Sequence, residues 1–198
     1  MKVYGDIASG NCYKVKLVLS HLAIEHEWVH VDIVRGETKT AEFLSLNPNG
    51  KIPMVVLDDG QVLTESNAII NYLAMGSRLV PTDRLAYARV LEWQFFEQYS
   101  HEPYIAVARF INKFLGLPEH RRAEYESKQA GGIKALRLME SALARSPFLI
   151  GDQYTIADVS LYAYTHVADE GGFDLKTYPA ILAWMKRVTE QEGYLPMA

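Results

Sequence analysis

PMVVLDDGQVLT, residues 53–64, decides how the first third of this chain folds. The run from Pro53 to Leu57 is continuously apolar, Gln61 to Thr64 carries β-forming residues, and only Asp58-Asp59-Gly60 separates them. A connection that short cannot carry the chain across a sheet, so the two strands must be antiparallel neighbours. Toward the N-terminus, Ala41 to Leu46 reads as a short helix or turn, and Trp28 to Ile33 as a strand that alternates β-formers with His30 and Asp32. Further back, Val15, Val18, Leu19 and Leu22 recur at i, i+3, i+4 and i+7, the spacing of a helix with one apolar face, and Lys2 to Tyr4 is a short strand. Toward the C-terminus, Glu65 to Ala74 closes the unit as a helix.

The resulting order, βαβαββα, joins a β-α-β crossover, whose strands run parallel, to an antiparallel hairpin. It predicts a mixed four-stranded sheet covered by helices, an α/β thioredoxin-like N-terminal domain over residues 1–76. Residues 77–82, between Gly76 and Asp83 and containing Pro81, read as a linker. Strand-type alternation stops there, and 83–198 reads as an all-α C-terminal domain. Ala88, Leu91, Phe95 and Tyr99 mark a long helix that Pro103 should kink. Ile133, Leu136, Met139 and Leu143 mark a second helix, and Ile156, Val159, Ala163 and Val167 a third. Pro179 opens a fourth, with Ile181, Met185 and Val188 on one face. Thr155 and Asp158 have the spacing of a capping box, a folding signal rather than a chemical one.

Composition narrows the function. Among 198 residues, 20 Lys and Arg stand against 24 Asp and Glu, a net charge of -4 with no run of like charges, which argues against a nucleic-acid partner. No apolar stretch reaches the roughly 18 residues of a membrane span, and the N-terminus lacks the basic and apolar regions of a secretory signal, so a cytoplasmic protein with no membrane partner is expected. Cys12 is the only cysteine. It permits no internal disulfide and no cysteine-based zinc site, and the six His are too scattered for a metal centre, so no metal is expected.

Three polar clusters remain. Ser9-Gly10-Asn11-Cys12-Tyr13-Lys14 lies between the first strand and the first helix, where free amides and the helix dipole favour an anion by roughly 0.3 to 1 kcal/mol. Lowering a thiol pKa by two units takes about 2.7 kcal/mol. A hydroxyl donating to the anion adds roughly 1.5 to 3 kcal/mol, so Ser9 plus the helix terminus could supply that amount, while a plain helix cap is the commoner use of Ser9 or Asn11. In Asn47-Pro48-Asn49-Gly50-Lys51-Ile52-Pro53, a cis Ile52–Pro53 bond would turn the Ile52 backbone outward to pair with an extended peptide, though most X-Pro bonds are trans, and Lys51 would suit a carboxylate, although a solvated lysine is the simpler account. In Thr64-Glu65-Ser66-Asn67, Ser66 and the helix amides suit a carboxylate and Glu65 an ammonium, unless the segment is only an acidic capped first turn. Together they match the three parts of glutathione: a thiol, a peptide backbone and an amino-acid zwitterion.

Over essentially its whole length the chain resembles the glutathione S-transferase family, and most closely its serine-type bacterial members. The first loop of that family often runs Ser, a spacer, Pro or Asn, a small residue, a spacer and a base, a pattern SGNCYK fits. The resemblance implies that Ser9 holds the glutathione thiolate, that Lys51 and the Ile52 backbone before a cis Pro53 contact the peptide, and that Glu65 with Ser66 holds the γ-glutamyl end. Asn11, Cys12 and Lys39 join the binding set, Lys39 from a region where relatives meet the glycyl carboxylate. Cys12 itself reads rather as a small core residue, since no second Cys or base accompanies it. Tyr4 is a strand residue and does not take the part of the catalytic Tyr of other classes, and the doubled-Ser motif of maleylacetoacetate isomerases is absent. The resemblance implies a homodimer in which glutathione, as co-substrate, attacks a hydrophobic electrophile in a cleft between the domains. The alternatives are a glutathione-dependent disulfide reductase or peroxidase governed by Asn11, and a non-catalytic binding module on the same scaffold. His101, Tyr104, Phe110, Tyr162 and His166 are candidates for the electrophile wall, with helical core as the simpler fate of each.

Overall fold

In the computed structural model, which describes residues 1–197, Lys2–Gly5 (β1) and Glu27–His30 (β2) run parallel on either side of the helix Gly10–His21 (α1). The helix Ala41–Leu46 (α2) follows, then Met54–Val56 (β3) and Val62–Thr64 (β4), which pair antiparallel through the Asp58–Gly60 turn, and the helix Ser66–Ala74 (α3). The sheet order is β2-β1-β3-β4, with β1 parallel to β2 and antiparallel to β3, which is the expected thioredoxin-like arrangement.

Chain reversal in the sheet decides where the loops go. Tyr4 faces Met54 across the β1–β3 pair and Met54 faces Thr64 across β3–β4, so the end of β1, the start of β3 and the end of β4 share one end of the sheet. The three polar clusters follow or precede those strand ends.

The strand read over Trp28 to Ile33 is shorter than expected, ending at His30. Asp32 ends it: its carboxylate accepts the amides of Val34 and Arg35, each at 2.9 Å, while Glu37 accepts the Asp32 amide at 2.7 Å. These local side-chain bonds turn the chain out of the extended path.

The two faces of the sheet are covered differently. Val3 and Gly5 are fully buried beneath α1, where a Cβ added to Gly5 would sit 2.9 Å from Cys12 Sγ. α1 is buried on nearly all sides, not along one stripe: Cys12, Val15, Leu17 and Val18 have no exposed surface, and α3 packs against it. Tyr4 points to the other face, where a cluster of Val31, Phe43 and Met54 lies under α2.

The chain divides into two compact units, the first comprising Met1–Ser77 and the segment from Glu192 on, the second Arg78–Gln191. The terminal segment lies along α1: Tyr13 Oη donates to the Leu195 carbonyl at 2.6 Å, and His21 Nδ1 lies 2.7 Å from the Glu192 carbonyl. By packing, therefore, the helical unit stops at Gln191 and not at residue 198.

The second unit holds the helices Arg84–Phe96 (α4), Glu102–Arg109 (α5), Arg122–Leu143 (α6), Ile156–Thr165 (α7) and Pro179–Thr189 (α8). The expected disturbance before Pro103 takes the form of a π-helical turn over Glu97–His101, which leaves Pro103 in the first turn of α5, where its missing amide costs nothing. α7 is the centre, buried at every position. Its capping box forms as expected, and Asp158 does more than cap: its carboxylate also accepts Leu149 N at 3.0 Å and Trp184 Nε1 at 2.9 Å. The apolar stripe read along α4 faces outward, not inward. Phe95 is 71% and Tyr99 85% exposed, whereas Val90, Gln94, Glu97 and His101 are buried. Gln94 Nε2 donates to Ser160 Oγ at 3.3 Å and His101 Nε2 lies 2.9 Å from Thr165 Oγ1, so α4 and its π turn meet α7 through polar contacts.

Candidate active site

Ser9 precedes α1 with extended backbone angles, φ -80° and ψ 124°, and its Oγ accepts the Cys12 amide at 3.4 Å. The cap is long and uses only the oxygen lone pairs. The hydroxyl proton lies within hydrogen-bonding reach of the Cys12 thiol and can rotate from that weak acceptor to a bound anion, so capping and anion binding do not compete for the same atom.

Asn11 and Ser66 meet although 55 residues separate them. Ser66 Oγ donates to Asn11 Oδ1 at 3.2 Å, and Lys14 Nζ donates to Asn11 Oδ1 at 2.8 Å and to Ser66 Oγ at 3.4 Å. Lys14 has no exposed surface. This lysine, one turn into α1, places a positive charge behind the N-termini of both α1 and α3, reinforcing the ends that already favour anions. The sequence reading counted it only as the base that ends SGNCYK; its burial arises from α3 packing on α1, a contact no local pattern announces.

Glu65 lies just before α3 with φ 66° and ψ 111°, a region that costs a non-glycine residue about 1–3 kcal/mol. Its carboxylate is exposed, while Ser66 beside it is buried. A strained, exposed acid next to a buried hydroxyl and free helix amides is a local geometry suited to a zwitterion.

The Lys51 loop is shaped by Asn47, 4% exposed, whose Nδ2 donates to the Lys51 carbonyl at 2.8 Å and whose Oδ1 accepts the Asn49 amide at 3.1 Å. Lys39 reaches the same loop, its Nζ donating to the Gly50 carbonyl at 3.2 Å. Gly50 has φ +60°, a backbone conformation that side-chain-bearing residues rarely adopt, so this position favours glycine. Lys51 is exposed, the Ile52–Pro53 bond is cis, and Ile52 packs its side chain against the Val31, Phe43 and Met54 cluster. Nothing local in the sequence marks Asn47 as more than part of a turn.

One member of the expected binding set is turned away. The Cys12 thiol is buried against the Gly5 side of the sheet, and burial pushes its pKa from 9.0 up to about 12, outweighing the hydrogen bond from Ser9 that lowers it. It is a packed thiol, not a reactive one: desolvation of the anion is larger than anything the helix end supplies. The five aromatic and His residues considered for a wall divide: His101 and Tyr162 lie in the core of the helical unit, while Tyr104, Phe110 and His166 are half-buried. Among the described residues, no group of three or more His, Cys, Asp or Glu is placed to hold a metal ion.

Known proteins match this chain over nearly its whole length. Residues 8–75 match the family model "Glutathione S-transferase, N-terminal domain" and residues 90–192 the model "Glutathione S-transferase, C-terminal domain". A solved glutathione S-transferase from Pseudomonas fluorescens is 59% identical, superposes with a TM-score of 0.97 and covers 99% of this chain and 98% of its own. Glutathione S-transferase 3 of Zea mays is 31% identical over 98% of this chain and 91% of the maize protein. Glutathione transferase URE2P6 from Phanerochaete chrysosporium, solved in complex with oxidized glutathione, is 26% identical with a TM-score of 0.83, covering 97% of this chain and 91% of its own. With family models matched in order over both halves and relatives matched over nearly the whole length, the chain belongs to the glutathione S-transferase family.

Proposed function

We propose that the protein is a glutathione transferase whose first unit holds glutathione across the loop end of its sheet, with the thiolate over the N-terminus of α1 against the Ser9 hydroxyl. The observation that carries this reading is the Ser9 cap at the mouth of α1: an oxygen that accepts the Cys12 amide, with a hydroxyl proton that can turn from the neutral Cys12 thiol to a bound thiolate. Asn11, Ser66 and Glu65 receive the γ-glutamyl end, with Lys14 behind them. Lys51, Lys39 and the Ile52–Pro53 backbone receive the peptide and its glycyl carboxylate. Cys12 contributes its amide to the cap and no thiol chemistry. In the reaction the thiolate forms a carbon–sulfur bond to a hydrophobic electrophile; in substitution at a chloronitroaromatic ring, chloride leaves with the electron pair of the broken bond. Leu85, Phe95 and Tyr99, exposed along α4 and its π turn, support a homodimer that covers them, and a thiol co-substrate suits a cytoplasmic location.

Ser9→Ala tests the assignment. Loss of the donated hydroxyl should raise the bound thiol's pKa by about two units and cut conjugation of 1-chloro-2,4-dinitrobenzene near neutral pH about a hundredfold, with calorimetric uptake of glutathione retained. Full conjugation by Ser9→Ala overturns the role of Ser9. If Asn11→Ala instead removes turnover of a mixed disulfide while Ser9→Ala does not, the protein is a disulfide reductase on this scaffold.

A further inference from the structure

α2 is only six residues long, about 9 Å, whereas the four-stranded face beneath it is about 14 Å across. It cannot cover that face. Phe43 seals the middle against Val31 and Met54, and toward the edge strand β2 a cavity of about 310 Å³ remains, walled by Tyr4, Val29, Phe43 and Leu46. That volume is within the usual range for small-molecule sites.

The rim is acidic. Glu37 and Glu42 both line the opening, and no Lys, Arg or His does. Glu37 is held in place, its Oε2 accepting the Asp32 amide at 2.7 Å. Nearby cations are already committed elsewhere: Lys39 to the Gly50 carbonyl, and Arg35 to Asp32 at 3.5 Å. Among the described residues, neither the Glu42 carboxylate nor the Tyr4 hydroxyl has a protein partner. The walls are thus apolar and aromatic, and the mouth carries two negative charges with no local counterion. An anion is repelled there, and a neutral apolar molecule leaves both carboxylates uncompensated. A cation with an apolar body satisfies both, its charge meeting the carboxylates and the aromatic faces of Tyr4 and Phe43.

We propose that the cavity under α2 is a second binding site, for small organic cations with an apolar body, separate from the loop end of the sheet. The test uses the full-length protein saturated with glutathione, titrated by calorimetry with benzyltrimethylammonium, benzyl alcohol and benzenesulfonate. The ammonium compound binds, the alcohol binds at least several-fold more weakly, and the sulfonate gives no measurable heat. Glu37→Gln with Glu42→Gln, a surface change that leaves the fold intact, weakens the ammonium compound about five- to tenfold. Leu46→Trp, which fills the mouth, abolishes its binding and leaves glutathione uptake unchanged. Equal affinity for the cation and the alcohol, no response to the paired Glu→Gln change, or no uptake of the cation at all overturns the proposal.

Discussion

α1 and α4 both present an apolar stripe in the sequence, and they use it in opposite ways. In α1 the stripe containing Val15, Val18 and Leu19 goes inward, and the helix is buried so completely that even Lys14 has no exposed surface. In α4 the stripe of Ala88, Leu91, Phe95 and, in the following π turn, Tyr99 goes outward, with Leu91 half-buried and Phe95 and Tyr99 more than 60% exposed, while Gln94, Glu97 and His101 occupy the interior. Apolar periodicity says that a face must be covered. It does not say by what. α1 is covered by its own sheet and by α3, whereas α4 turns to α7 a face whose Gln94 and His101 pair with the Ser160 and Thr165 hydroxyls. A polar interior face is tolerated where its groups find partners, and for Gln94 and His101 Nε2 those partners are hydroxyls of α7.

Three measurements break or sharpen this contrast. The largest effect falls on α1: Val18→Asp places an unpaired carboxylate at a site with no exposure, costs more than about 4 kcal/mol and should leave no cooperative thermal transition. A folded Val18→Asp protein would show that α1 is less enclosed than described. Next comes Cys12, which reports the same enclosure through a proton. Its folded pKa of about 12 exceeds its ordinary 9.0, so the folded state keeps a proton that the unfolded state releases. The neutral thiol's contribution is complete below pH 9 and is lost as pH rises toward 12, by about 1.4 kcal/mol per pH unit in that window. Urea titrations should therefore show the advantage of the wild type over Cys12→Ala shrinking between pH 9 and 12, and iodoacetamide at pH 8 should label the thiol only after unfolding. Rapid labelling of the native protein would contradict both. The smallest effect is on α4: Phe95→Glu should change the stability of the folded chain by less than about 0.5 kcal/mol while shifting its sedimentation toward the monomer. A drop of several kcal/mol would mean that Phe95 belongs to the interior after all.

The site was legible to unequal degrees. Ser9, Lys51, Glu65 and Ser66 stand in local motifs, a helix entry or a tight turn, whose conformation a few neighbouring residues settle, and each lies at the loop end of the sheet. What matters about Lys14 is a bond across the fold, to Ser66, which no local pattern announces; Asn47 acts within its own loop, on the Lys51 backbone four residues on, but does so from a buried position that the turn sequence alone does not reveal. Cys12 shows the limit from the other side. A thiol at a helix N-terminus has two opposing influences, and the local one favours the anion; burial under the sheet, a long-range fact, outweighs it.

The hairpin at residues 53–64 and the crossover before it were enough to specify a mixed four-stranded sheet, since a three-residue turn admits only antiparallel strands and a parallel pair needs a crossover. Short-range sterics and hydrogen bonding carry that information, and both are written in neighbouring residues. Which stripe is buried, which lysine is enclosed and where a six-residue helix leaves a cavity depend on surfaces brought together from distant parts of the chain. Burial is a property of the assembled neighbours of a residue, and those neighbours exist only once the chain has folded.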